Sequence, residues 1–182
     1  MENNINIQFY KSKFGNLIIG SYQNKLVLCD WQFRKMRQAI DQRICNYFKA
    51  SYKEKTDAII DQTITELEQY FNKEKTNFTI PIDFAGSSFQ INVWNELLKI
   101  EYGTTSTYLQ QAEKLNNKEA IRAVAAANGA NAISIIVPCH RIIGSDGNLV
   151  GYAGGLTVKE KLLELEGAIK EIKNNNQLKL EF

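Results

Sequence analysis

The stretch TYLQQAEKLNNKEAIRAVAAAN, residues 107–128, decides the fold class of the second half of this 182-residue chain. Thr107 followed three residues later by Gln110 is a capping box, in which each side chain satisfies an orphan N–H of the other, and it predicts a helix from Tyr108 to Leu115. Asn116 with Glu119 signals a second start almost at once, predicting a helix from Lys118 to Asn128. Two short helices joined by a tight turn read as a helix-turn-helix. The second of them carries Ala120, Ala123, Ala125, Ala126 and Ala127, with Lys118 and Arg122 as its cations. Small side chains let such a helix approach another surface closely, and they equally suit packing inside the domain, so composition leaves both uses open.

Upstream, Ser88 can cap a helix whose Phe89, Val93, Trp94, Leu97 and Leu98 form a core stripe. The character of the chain changes near Pro81 to Ser88. Before that point, Leu17 to Ser21 and Lys25 to Asp30 are β-like runs around Gln23-Asn24, which predicts a hairpin, and Ile7 with Phe9 predicts a strand ahead of it. From Thr56 to Phe71 the residues Ile60, Ile64, Leu67 and Phe71 recur at helical spacing. Arg34 to Arg43 is basic, and the expectation is a solvated helix face without an assigned function. The whole is an α/β chain of the α+β kind: a small N-terminal β-sheet/helix domain over 1–85, a mainly helical C-terminal domain over 86–169 containing the helix-turn-helix, and a tail over 170–182.

Composition narrows the class. A hydrophobic content of 44% supports an ordinary globular core. No run of about 18 apolar residues is available to span a bilayer, and the polar start Met1-Glu-Asn-Asn lacks a signal-peptide core, so a cytoplasmic protein without membrane association is expected. Three cysteines, Cys29, Cys45 and Cys139, are odd in number and widely spaced, which suits reduced thiols. They also lack the spacing of a zinc set, and no metal or other cofactor is expected. A formal charge of +2 does not announce a strongly basic nucleic-acid binder.

The chemistry lies downstream of the helix-turn-helix. Ala132 to Val137 is a β-branched apolar run, predicted as a strand that stops at Pro138 and delivers Cys139 at its end. His140, the only histidine, follows. A thiol becomes a nucleophile when a base or cation favours its thiolate, and histidine works best with its tautomer fixed by a carboxylate. Thr157 with Glu160 predicts a capping box opening a helix from Val158 to Glu166, ended by Gly167. Glu166 in the last turn opposes the helix dipole and therefore calls for a partner. Gly151-Tyr152-Ala153-Gly154-Gly155 is a flexible loop suited to lining a pocket; it lacks the lysine and spacing of a phosphate loop. A cysteine hydrolase is disfavoured, because adjacent residues on an extended segment point to opposite sides.

These residues also carry a resemblance. Ser88-Phe89-Gln90, Val93-Trp94, Tyr102-Gly103, Ser106-Thr107-Tyr108, Arg122-Ala123-Val124 and Asn131 agree in order and spacing with the O6-alkylguanine-DNA alkyltransferase family, especially its bacterial constitutive form. So do Val137-Pro138-Cys139-His140-Arg141, Gly151 to Leu156, Lys159-Glu160 and Leu165-Glu166-Gly167. The chain departs from the family pattern at Glu101, Glu119 and Ile121.

The resemblance implies direct-reversal DNA repair: an irreversible, single-turnover transfer of the alkyl group of O6-alkylguanine, with O4-alkylthymine as a further substrate, to Cys139 after base flipping. It implies a catalytic set of Cys139, His140, Glu166, Asn131 and Tyr108. It places Arg122, Tyr108, Ala123 and Arg141 against DNA, and Tyr152, Ala153, Gly154, Val137 and Ile142 around the substrate. Arg122 would plug the stack and Tyr108 would turn the phosphate and protonate guanine. The implied partner is double-stranded DNA containing O6-alkylguanine, met by a monomer. The rival expectation is a damage-sensing DNA-binding protein of the same fold without productive transfer.

Overall fold

A computed structural model describes residues 3–169; the tail expected over 170–182 lies outside the described residues. Strands β1 (Asn4–Ser12), β2 (Gly15–Tyr22) and β3 (Lys25–Trp31) form an antiparallel meander. The β2–β3 turn uses left-handed backbone at Gln23 and Asn24, the conformation that a two-residue hairpin requires. Helix α1 (Arg37–Phe48) returns the chain so that β4 (Ser51–Glu54) pairs parallel to β1, giving the order β3-β2-β1-β4. Helix α2 (Ala58–Phe71) follows, capped by Asp57, whose carboxylate accepts from the N–H groups of Ile59 and Ile60.

The second half holds α3 (Ser88–Leu97), β5 (Ser106–Thr107), α4 (Tyr108–Lys114) and α5 (Ile121–Gly129), with a 3-10 turn at Lys118–Ala120. A second 3-10 turn at Cys139–Arg141 leads into β6 (Ile142–Ile143), and α6 (Leu156–Glu166) closes the described chain. The Thr107–Gln110 capping box forms with both of its hydrogen bonds, and Gly167 ends α6 in the left-handed conformation. Among the described residues no helix is long and apolar enough to cross a membrane.

Side-chain alternation along the sheet divides the core. Ile5, Ile7 and Ile18 face α1 with Ile40 and Ile44, whereas Leu17 and Ile19 join Leu67, Tyr70, Trp94, Val124 and Ile133. That second cluster runs without a break from the sheet into the helical half, so the two halves share one desolvated core.

Four local expectations are corrected. The cap of α3 is Ser87, one residue earlier than Ser88, with Gln90 completing its box. The second helix of the pair starts through a 3-10 turn, and Asn117 at its head makes no side-chain cap bond. The Thr157–Glu160 box does not form, because α6 already begins at Leu156 behind Gly155. Ala132 to Val137 is not a strand. The run meets the sheet only locally, with Ile133 bridging Cys29 and Ala132 O accepting from Cys29 N–H, and it then coils through Ile136 N–H to Ser134 O and Val137 N–H to Ile133 O, each 2.9 Å. Ile135 takes φ 73°, a conformation that costs a β-branched residue of the order of 1–3 kcal/mol. The apolar run is buried because it is wrapped by both halves, and burial alone does not specify a ladder.

Candidate active site

The coil from Asn131 to Arg141 presents Cys139. Asn131, 1% exposed, organises it: its carboxamide oxygen accepts from Ile133 N–H at 2.9 Å, while Nδ2 donates to Val137 O at 2.9 Å and to Cys139 Sγ at 3.3 Å. The thiol is 7% exposed. Burial pushes its pKa up, and the hydrogen bond from Asn131 and the charge of Lys159 work against that rise. Sγ meets a cavity of about 560 Å³ bordered by Tyr108, by Ala125, Asn128 and Gly129 of α5, by the loop 151–155, and by Phe33 to Met36.

Behind the thiol, His140 is fully buried and its Nε2 meets Glu166 Oε1 at 2.8 Å. With Glu166 ionised, Nε2 carries the proton of a neutral ring and Nδ1 is left as the basic position; Nδ1 has no hydrogen-bond partner in the protein. Burial lowers the pKa of His140, with Glu166 opposing, so the imidazole is neutral at pH 7. Glu166 has the partner that its place at the end of α6 called for. Burial disfavours its charge, but His140 and Arg141 more than compensate and hold its pKa at about 2. Arg141 donates through Nε to Oε2 and through Nη2 to Oε1, both 2.9 Å, and Tyr70 of α2 donates to Oε1 at 2.6 Å.

The geometry brings Cys139, His140, Glu166, Asn131, Tyr108, Tyr152, Ala153 and Gly154 together. Five expected residues stand outside this group. Arg141 is 6% exposed and committed to Glu166 and to Ile100 O, so its guanidinium is structural rather than DNA-facing. Val137 and Ile142 are fully buried behind the turn and do not border the cavity; their carbonyls are acceptors for Asn131 and Lys159. Arg122 and Ala123 are exposed at the start of α5, and Arg122 shares a helix face with Ala125 and Gly129, which edge the cavity. Cys139 and His140 occupy a 3-10 turn rather than an extended segment, and the thiol bonds to Asn131 rather than to the ring.

The basic segment is not a solvated face. Arg34 is buried and pairs with the fully buried Asp30 at 2.8 Å, and it donates to the carbonyls of Asn131 and Gly129. Arg37 also reaches Asp30, and Ser134 donates to the other oxygen of that carboxylate at 2.9 Å. Asp30 of β3, with Arg34, thereby anchors the start of the segment that carries Cys139. Lys159 is likewise buried, donating to the carbonyls of Ile142 and Val150, and burial lowers its pKa to about 8. The available signal for Asp30 was an acid inside an otherwise apolar strand; for Lys159 no local signal distinguished it from a surface lysine.

Comparison with known proteins identifies the family. Residues 88–168 match the family model described as 6-O-methylguanine DNA methyltransferase, DNA binding domain, and residues 5–84 match the ribonuclease-like domain of the same methyltransferase. The chain belongs to the O6-methylguanine-DNA methyltransferase family. Among its relatives, the inducible methylated-DNA–protein-cysteine methyltransferase of Bacillus subtilis is 44% identical over 119 residues, 65% of this chain and 66% of that protein. The methylated-DNA–protein-cysteine methyltransferase of Methanosarcina acetivorans is 50% identical over 103 residues, 57% of this chain and 66% of that protein. The match thus spans just under two thirds of these curated relatives. A crystal structure of Mycobacterium tuberculosis OGT in complex with DNA superposes with a TM-score of 0.75 at 33% identity, covering 91% of this chain and 93% of that one. The fold read for the family, a sheet domain joined to a helical one, is the fold of this chain.

Proposed function

We propose that this member of the family is a single-turnover alkyltransferase that repairs O6-alkylguanine in duplex DNA. The supporting observation is one thiol, Cys139, facing a cavity large enough to admit a base while a neutral imidazole oriented by a buried carboxylate stands behind it. His140 Nδ1 takes the thiol proton through a water. Sγ attacks the alkyl carbon in line, an S–C bond forms, and the C–O6 bond breaks with its electron pair leaving on guanine. Tyr108 protonates the departing base and is itself reprotonated by the imidazolium, so the net change is thiol to thioether and alkylguanine to guanine. Nothing in the site removes a thioether, which makes the step irreversible. The protein acts as a monomer on DNA in the cytoplasm, with residues 1–85 and 86–169 as its two domains.

Incubation with a duplex containing O6-methylguanine, followed by peptide mass spectrometry, tests this reading. One methyl group on Cys139 and a plateau at one repaired guanine per protein are expected. No methyl gain, or continued turnover, sinks the proposal.

The alkyl carbon is unreachable inside a duplex, and extruding the base costs a few kcal/mol. Arg122 heads the helix beside the cavity and fills the gap in the stack. Between Gly86 and Gly167 seven cations face eight anions, so net attraction contributes little. Arg122→Ala is therefore expected to slow transfer from duplex DNA by about 10–100-fold, the equivalent of losing a few kcal/mol of flipping support, and to leave transfer from free O6-benzylguanine nearly unchanged. Equal loss on both substrates would assign Arg122 to the fold instead.

The depressed pKa of His140 makes a pH prediction. The base is lost only when the ring is protonated, which happens below its ordinary value of 6.5. Single-turnover rates on free O6-benzylguanine should hold level from pH 8 down to about 6.5 and fall only beneath it. A half-loss at pH 7 or above would show that His140 is not the neutral base.

A further inference from the structure

Of the glycines in the pocket loop, two are dictated by backbone: Gly151 has φ 41° and Gly155 φ 87°. Gly154 is different. Its backbone is outside the left-handed region, and what excludes a side chain there is Trp31. A Cβ on Gly154 would stand 2.6 Å from Trp31 Cε2, 2.7 Å from Nε1 and 2.9 Å from Cδ2. The indole belongs to the other half of the molecule, at the end of β3, and is 5% exposed. Its opposite edge lies over Gly15 of β2, where a Cβ would come within 3.3 Å of Cζ3, so the ring fills the space that a side chain there would need. Trp31 also meets Tyr152 edge-on at 6.1 Å between centroids, and Tyr152 in turn meets His140 at 6.2 Å.

We infer that Trp31 is a positioning residue for the alkyl-transfer pocket: wedged between Gly15 and Gly154, its indole sets the height of the loop 151–155 and, through Tyr152, the width of the cavity over Cys139. This deepens the function proposed above and rests on it. The sheet domain then acts on guanine recognition, while the thiol and its base are held by Asn131, His140 and Glu166, none of which touches the indole through a hydrogen bond.

The test uses the full chain in four forms: unaltered, Gly154→Ala, Trp31→Leu, and both changes together. Single-turnover transfer from O6-benzylguanine is measured against its concentration, with iodoacetamide alkylation of Cys139, located by peptide mapping, as a readout independent of guanine. Gly154→Ala should raise the half-saturating concentration about tenfold, because small displacements of positioning groups are costly, with the maximal rate and the iodoacetamide rate within about twofold. Trp31→Leu alone should also raise it, by about fivefold. Combining them should recover most of the Gly154→Ala loss, since Leu removes the atoms that the new Cβ meets; contacting residues couple in this way. Additive losses would overturn the inference, as would a neutral Gly154→Ala or equal falls in benzyl transfer and iodoacetamide reaction. Should Gly154→Ala fail to fold, Trp31→Leu decides alone: an unchanged half-saturating concentration refutes the role. An unaltered protein that takes no benzyl group would defeat the functional reading itself, and the inference with it.

Discussion

Cys139→Ala is expected to take up no alkyl group from O6-methylguanine DNA while remaining folded and still binding the duplex. The nucleophile is a single atom, and neither of the other thiols can replace it: Cys29 is fully buried in β3, where burial raises its pKa beyond the useful range, and Cys45 lies on α1, outside the cavity. The structural loss is small. Asn131 keeps its bond to Val137 O, and removing one sulfur from the turn costs about 1 kcal/mol. Mass spectrometry of the reacted protein reads the first half of this expectation, and thermal melting with a duplex-binding titration reads the second. A methyl group found elsewhere on the variant would move the acceptor, and a collapsed melting curve would make Cys139 a core residue.

The second large effect is at Glu166. Its carboxylate is the common acceptor for His140, Arg141 and Tyr70, and its side chain is fully buried. Glu166→Ala leaves the Arg141 guanidinium, 8% exposed, without its counter-charge, and breaking a buried pair from one side costs about 3–5 kcal/mol. That is a large part of the stability of an ordinary domain. Glu166→Gln keeps the shape and an acceptor for Nε2 but removes the charge, so the imidazole loses the carboxylate that supports its basicity, and transfer should fall by about 10²-fold or more, the range spanned by general-base contributions. The acid limb of stability gives an independent reading. Glu166 has a folded pKa near 2 against an ordinary 4.5, so its contribution is complete above 4.5 and is lost as the pH falls through 4.5 toward 2. Urea unfolding at pH 7 and pH 3 should show a steep loss in the unaltered protein and a shallower one in Glu166→Gln. Identical pH dependence in the two would mean that the carboxylate is not the ionised hub described here.

Features decided by a few neighbouring residues were legible in the sequence. The hairpin at Gln23-Asn24, the period of α2, the Thr107–Gln110 box and the Gly167 stop each depend on contacts within about four residues, and each is present. Glu166 was half legible: an acid at a helix C-terminus announces a partner without naming it. The resemblance across Val137 to Arg141 and the glycine loop carried the family and the choice of Cys139. Tertiary structure alone decided the remainder. Arg34 and Arg141 have the composition of surface residues, yet both are desolvated because Asp30 and Glu166 reach them from other elements. The apolar run from Ala132 to Val137 had the pattern of a strand, and became a coil because Asn131, Ser134 and the sheet satisfy its polar groups from the side. Sequence determines what a residue can do at short range, through propensity and caps; which buried charges meet, and which half of the molecule braces the nucleophile, is decided by packing between residues as much as 104 positions apart.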